Sequence, residues 1–436
     1  MIRTLAQLEA AMDRRALLRM GACAGIGAAL MPRLALAAAD PDLLPQVRAV
    51  VERWVGPGKF PGMVASLGIP GREPQYVARG SEGFTDGDAV TADSLFRIYS
   101  MTKPITGMAA MQLVSEGRLG LDQPLYDILP QYRHMQVQDT YDGSVAALHP
   151  ARSPITIRHL LTHTSGIGYT IIQKGPIKDL MERKGLVAGQ ISRMKIPGVF
   201  EGEPVHGLDR FADRLAEVPL VADPGTRWSY SMGLDLMGRV IEVASGRSFA
   251  DYLRETIFEP AGMSSTFFQV PQSDAARLTT NYGALGKLLV PIDSGMDSIF
   301  LDKPPFPFGG AGLVSSPRDY DRFLRMLAQS GTIDGQRVLA AQAVRTGTSD
   351  LLPAGVTIPA AFGGAAGFGA GGRVGRGGEA GIYGWSGAAG TVGMVDMVHA
   401  LRSQIFVQFM PPNAVGLLPE FQAALKADVM AMLEKR

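Results

Sequence analysis

Cysteine is nearly absent from this sequence: among 436 residues only Cys23 carries a thiol. A single cysteine can form no internal disulfide and cannot by itself build a thiolate metal site. An excess of charge is missing too. Lysine and arginine total 42 against 41 acidic residues, a formal charge of +1, and no basic block runs along the chain beyond its first 39 residues. That removes the electrostatic footprint of a nucleic-acid binder and suits a small, neutral or weakly charged substrate. There is no low-complexity tract, because the 53 glycines and 29 prolines are dispersed. With 46% hydrophobic and 19% charged residues, the chain reads as globular, with core material for one large domain or two interlocked ones.

The first 39 residues read as an export signal. Asp13-Arg14-Arg15-Ala16-Leu17-Leu18-Arg19 resembles a twin-arginine motif, and the apolar stretch Met20 to Pro32 follows it. Ala35-Leu36-Ala37 then offers small residues of the kind a signal peptidase reads. The apolar stretch is too short for a stable membrane anchor. The expected destination is the periplasm, with a cytoplasmic protein bearing an amphipathic N-terminal helix as the alternative. Loss of this segment removes five arginines, two acids and Cys23, and takes the formal charge from +1 to −2.

Residues 43–55 carry the apolar spacing of an amphipathic helix. Met63 to Ile69 and Gln75 to Ala78 read as strands. From residue 100 the pattern turns helical. Ile105 to Leu113 is apolar on nearly every side, as a buried helix would be, and Gly117 is placed to end it in a left-handed cap. Helical spacing recurs at 155–163, 208–217, 232–245, 247–258 and 317–330, while 168–207 reads as an irregular loop or lid. After residue 335 the signal is β: glycine-dense turns over 363–381, strands over Tyr383 to Val395 and Gln404 to Phe409 with a turn near His399, and a last helix over Phe421 to Leu433. The expected fold is α/β (α+β), an antiparallel sheet flanked by helices. Residues 40–99 and 335–436 would build it from both chain ends, with a mostly helical domain, 100–334, inserted between them.

Three stretches are candidates for chemistry. In Ser100-Met101-Thr102-Lys103-Pro104 a serine and a lysine three apart share a helix face. Pro104 belongs in a first turn, so Ser100 should sit at the helix N-terminus, where the dipole favours developing negative charge. A serine hydroxyl needs a base, and Lys103 can serve only when uncharged. The spacing alone is common, and Ser192-Arg193-Met194-Lys195 repeats it. That copy runs into Ile196-Pro197-Gly198 with no buried helix behind it, and reads as a solvated loop. The second stretch, Arg227-Trp228-Ser229-Tyr230-Ser231-Met232-Gly233, follows the turn Asp223-Pro224-Gly225 and precedes a helix. Its Tyr230 could relay a proton in a cleft or simply anchor the loop. The third, Trp385-Ser386-Gly387-Ala388-Ala389-Gly390-Thr391, could bring a substrate near backbone N–H groups or be a tightly packed strand. His159 and His163 have the spacing of a zinc pair but lack an intervening glutamate and an obvious third ligand. No Gly-x-Ser-x-Gly elbow occurs.

Ser100-x-x-Lys103, Tyr230-Ser231-x and Trp385-x-Gly387, in that order, resemble the three motifs of the serine β-lactamase and penicillin-binding-protein superfamily. Leu160-Leu161-Thr162-His163-Thr164-Ser165-Gly166, Pro224-Gly225 before Tyr230-Ser231, and Gly309-Gly310-Ala311-Gly312-Leu313-x-Ser315-x-Pro317 also resemble it. The resemblance runs from about residue 45 to the C-terminus. It implies a β-lactamase/transpeptidase-like fold with the site in a cleft between the domains. It implies a nucleophile at Ser100, a proton acceptor at Lys103 and a partner base at Tyr230. It further implies an oxyanion hole from the backbone N–H groups of Ser100 and Ala388, and a chemistry needing no metal or cofactor.

The departures point away from β-lactams. The most similar class of β-lactamases has asparagine where this chain has Met232, lysine where it has Trp385 and threonine where it has Ser386. The asparagine and lysine hold a substrate's amide and carboxylate, so their loss favours a plain ester. Tryptophan at this place resembles the family VIII carboxylesterases. The expected function is therefore hydrolysis of short-chain carboxylic esters through a Ser100 acyl-enzyme, with Trp385, Ser386, Gly387 and Met232 about the substrate. The rivals are a β-lactamase or DD-peptidase-like hydrolase of cell-wall peptides, and a non-catalytic binding protein of the same fold. The expected partner is a small ester, with no nucleic acid and no stable membrane insertion.

Overall fold

Apolar residues at helical spacing near the N-terminus form α1, Pro45–Trp54, which buries Val47, Val50 and Val51. Strands β1 (Gly62–Gly68) and β2 (Gln75–Gly80) follow. Next come the helices α2 (Thr102–Ser115), α3 (Leu208–Ala216), α4 (Gly233–Ser245) and α5 (Pro317–Ala328). The chain returns to the sheet with β3 (Gly367–Phe368), β4 (Arg373–Val374), β5 (Ile382–Ser386), β6 (Val392–Asp396) and β7 (Leu401–Phe406), then ends in α6, Leu417–Glu434. The computed structural model describes residues 42–85, 87–194, 203–285 and 288–434. The expected export signal, with Cys23, and Lys195 of the second serine–lysine pair lie outside the described residues.

The strands form one seven-stranded sheet in the order β3-β4-β5-β6-β7-β1-β2, antiparallel throughout. Strand β1, from the front of the chain, is held between β2 and the late strand β7, so the sheet draws on both chain ends. Every residue of β1 is buried, because both faces are covered. Met63, Ala65 and Leu67 face a core shared with α1 and α6, while Val64 faces the main core, the two-residue alternation of a strand. Asp428 in α6 accepts the backbone N–H groups of Gln46 (3.0 Å) and Val47 (2.9 Å), satisfying two of the free donors at the start of α1. Helix α5 packs on the opposite face, against β6, β7 and β1. Although it lies within the stretch expected to be the helical unit, its apolar side therefore serves the sheet.

The β-lactamase/transpeptidase-like mixture of antiparallel sheet and helices matches the expected fold class. Several local expectations differ. Residues 383–395 are a hairpin, β5 and β6, that folds back where the Gly387 N–H meets the Thr391 carbonyl (2.7 Å), with Gly390 at φ +83°. Ala341–Gly347 is a short helix packed on α2, in a region read as β. The excursion 168–207 contains the helix Pro176–Arg183, which buries Ile177 and Met181. Helix α2 is buried nearly all round, as its composition predicts, and Gly117 (φ +71°) follows it in the left-handed region.

Candidate active site

Ser100 sits in a single tight turn, Tyr99–Met101, that leads directly into α2. The short strand Phe96–Arg97 pairs with Val314–Ser315 and delivers it there. The Ile98 N–H reaches the Leu313 carbonyl (3.0 Å), and the Thr102 hydroxyl accepts the Leu313 N–H (3.1 Å). Buried Arg97 anchors this strand, donating through Nε to Asp293 (2.7 Å). Tyr99 has φ +41°, an uncommon conformation for a bulky residue, and it immediately precedes the candidate nucleophile.

Lys103 is fully buried. Its Nζ donates to Ser100 Oγ (3.1 Å) and to the Gly310 carbonyl (2.7 Å), and lies 4.6 Å from the centroid of the Tyr230 ring. From 130 residues away, Tyr230 donates its hydroxyl to the same Ser100 Oγ at 2.9 Å. Trp385 on β5 donates its indole N–H to the Tyr230 oxygen at 3.2 Å. One hydroxyl, one amine and one phenol thus converge, with an indole behind the phenol.

The stretch 160–166, quoted from the sequence only as a resemblance, holds Tyr230 in place. The His163 carbonyl accepts the Ser229 N–H (2.9 Å), and the Gly168 carbonyl accepts the Met232 N–H (3.2 Å). His163 Nδ1 accepts the Ser231 N–H (3.2 Å), and its ring packs 4.6 Å from that of Tyr230. Burial, reinforced by the charge of Lys103, pushes the His163 pKa well below its ordinary value, so the imidazole is neutral. His159, the other half of the candidate zinc pair, instead caps its own short helix by taking the Thr156 N–H on Nδ1 (3.2 Å).

The third stretch has two faces. Gly387 is needed for packing, since a Cβ there would overlap the Ile98 carbonyl oxygen and the Thr391 hydroxyl. Ser386 and Gly387 are buried, and Ala388 is half-buried. Among the described residues no backbone carbonyl accepts the N–H of Ser100 or of Ala388. Met232 is fully buried in the main core. Around Tyr230 stand the aromatic rings of Tyr169, Trp228, Phe362 and Trp385, at centroid separations of 5.4 to 6.1 Å.

Two residues of the site were given no role by the sequence: Gly310, which lay in a stretch quoted only as a resemblance, and Asp235, which was not singled out. Gly310 supplies the carbonyl that grips Lys103. Asp235, in the first turn of α4, is buried and accepts the Gly310 N–H at 2.8 Å. Burial raises its carboxyl pKa from 3.8 to about 6, against the lowering influence of the Lys103 charge. Only its position five residues after Tyr230, on the inner side of a helix, could have drawn attention to it.

A family model described as Beta-lactamase matches residues 47–427. The chain belongs to the β-lactamase family. Among curated relatives of this β-lactamase-family chain, Protein Rv1367c of Mycobacterium tuberculosis is 37% identical over 273 residues, covering 62% of this chain and 63% of its own length. Esterase EstB of Burkholderia gladioli is 30% identical over 283 residues, 61% of this chain and 66% of its own. The chain thus spans a little under two thirds of the length of these relatives. The solved structure of EstCE1, described as a hydrolase with promiscuous acyltransferase activity, superposes with a TM-score of 0.69 over 87% of this chain and 97% of its own, at 24% identity. At that identity the likeness speaks for the fold alone.

Proposed function

We propose that the chain is a serine carboxylesterase that hydrolyses short-chain carboxylic esters through an acyl-enzyme on Ser100. The observation that carries this reading is the meeting of Lys103 Nζ and Tyr230 OH on one serine oxygen, at 3.1 and 2.9 Å. Ser100 Oγ attacks the ester carbonyl while its proton passes to the Lys103–Tyr230 pair. The oxyanion rests on the N–H groups of Ser100 and Ala388. The alcohol leaves with the returned proton, and water releases the acid by the same steps. By the motif resemblance, Trp385 and Met232, both buried, replace the lysine and asparagine that favour a β-lactam's acid and amide, which supports a plain ester. The likeness to an esterase of the family agrees with this reading.

The test is a rate series on nitrophenyl esters from acetate to decanoate, beside a chromogenic cephalosporin at matched concentration. Turnover should be greatest on the short esters and exceed that on the cephalosporin. Ser100→Ala should reduce it by about a thousand-fold or more. A fluorophosphonate should leave its adduct on Ser100 in intact-mass and peptide spectra. Cephalosporin turnover above ester turnover would favour the β-lactamase reading, and an unlabelled Ser100 would favour a binding protein. Residues 1–39 are proposed to direct export, and fractionation of cells expressing the full chain should find it outside the cytoplasm.

A further inference from the structure

A buried ammonium needs acceptors and is strongly stabilised by a nearby negative charge. Among the described residues no carboxylate lies within ion-pair distance of Lys103. What holds it is the Gly310 carbonyl, and what holds Gly310 is Asp235. Oδ1 of Asp235 accepts the Gly310 N–H (2.8 Å), while Oδ2 has no partner. Asp235 is 1% exposed, so the protein keeps a half-satisfied carboxylate in its interior at a cost in stability. The Gly309–Gly310 turn is shaped for that contact. A Cβ at 310 would crowd the Asp235 carboxylate, and one at 309 would overlap the Leu234 carbonyl. The same turn is gripped from α2 by Thr106, whose hydroxyl donates to the Gly309 carbonyl (2.7 Å).

We propose that Asp235 is a positioning residue for Lys103, acting through the Gly309–Gly310 turn. The Gly310 carbonyl takes one N–H of the amine, which turns the lone pair of the uncharged form toward Ser100 Oγ. The proton of Ser100 then moves to Nζ as the Oγ–carbon bond forms and the carbonyl electron pair becomes the oxyanion. Once Lys103 is charged, the Asp235 carboxylate supplies the compensating field. Of the other titratable groups around Lys103, His163 is neutral, Tyr169 is held protonated by burial, and Tyr230 is itself a reacting group. The inference rests on the reading of Lys103 as the base.

The test uses the full chain with Asp235→Asn, which keeps an oxygen acceptor for Gly310 but removes the charge, and Thr106→Val, which loosens the turn from its other side. Three quantities are compared with wild type: the rate of Ser100 labelling by a fluorophosphonate, the kcat and KM for a nitrophenyl acetate, and the melting temperature. D235N should lower labelling and kcat by about ten-fold or more, with KM within about two-fold and no loss of melting temperature. T106V should show a smaller loss in the same direction, and it decides the matter if D235N does not fold. Labelling of both variants at the wild-type rate, or losses that merely track the folded fraction, would overturn the inference. A wild type that labels but turns over no ester sinks the ester reading and leaves labelling to judge Asp235. A wild type that does not label sinks both.

Discussion

Trp385 is the most tractable residue near the serine, because its ring and its N–H can be separated. The indole N–H points at the Tyr230 oxygen (3.2 Å), which gains negative character whenever it gives up its proton. A hydrogen bond to a charged group contributes roughly 1.5–3 kcal/mol. Trp385→Phe, which keeps an aromatic ring, should therefore lower kcat by about ten-fold to a hundred-fold. An unchanged kcat on a nitrophenyl ester would remove the indole from the proton path. Asp235 makes a prediction of opposite sign for stability. Its pKa is raised from 3.8 to about 6, first by burial, so the folded chain binds this proton more tightly than the unfolded one. The favourable contribution is complete below the unfolded pKa and is lost as pH rises through the folded one. Two units correspond to roughly 3 kcal/mol. Asp235→Asn, never charged, should melt above wild type at about pH 8, and the gap should close toward about pH 4. Thermal melts across that range check it.

At the scale of elements, α2 shows how sequence and packing meet. Its apolar run identifies it as buried, but not what it is buried against. The structure brings the 367–374 turn so close that a Cβ at Gly107 would overlap the Ala370 carbonyl oxygen. Gly107→Ala should cost about 1–3 kcal/mol by overpacking, read as a lower urea midpoint, even though alanine favours helix. The β5–β6 hairpin was hidden for a related reason. Its turn is made of the small residues Gly387 to Gly390, flanked by apolar strands, and a run of that kind reads equally as one strand in close contact with its neighbours. Ala341–Gly347 is too short for periodicity to declare itself, and its packing on α2 stabilises it instead.

The molecule as a whole is closed by its ends. Strand β1 lies between β2 and β7, and Asp428 reaches back 381 residues to the Val47 N–H. Asp428→Ala removes two capping acceptors and should lower stability by about 1–2 kcal/mol. Because this contact lies on the side of the sheet away from Ser100, kcat per folded molecule should not change. A fall in that kcat would show that the sheet transmits strain to the serine turn. The site depends on the same closure. Ser100 and Lys103 come from the start of α2, Tyr230 from the loop before α4, Gly310 from the loop before α5, and Trp385 from the returning sheet.

The sequence by itself determined the short-range facts. A serine and a lysine three apart open an apolar helix, strands and helices show their periods, and spaced motifs mark the family. These depend on covalent spacing and on which side chains avoid water, and both are written locally. Only the tertiary structure decided that Tyr230 meets Ser100, that Trp385 stands behind it and that His163 is neutral. It alone brought Asp235 to the glycine whose carbonyl holds Lys103. Those outcomes depend on distances between segments far apart in the chain and on the burial that their packing creates, and no local pattern of residue types encodes either quantity.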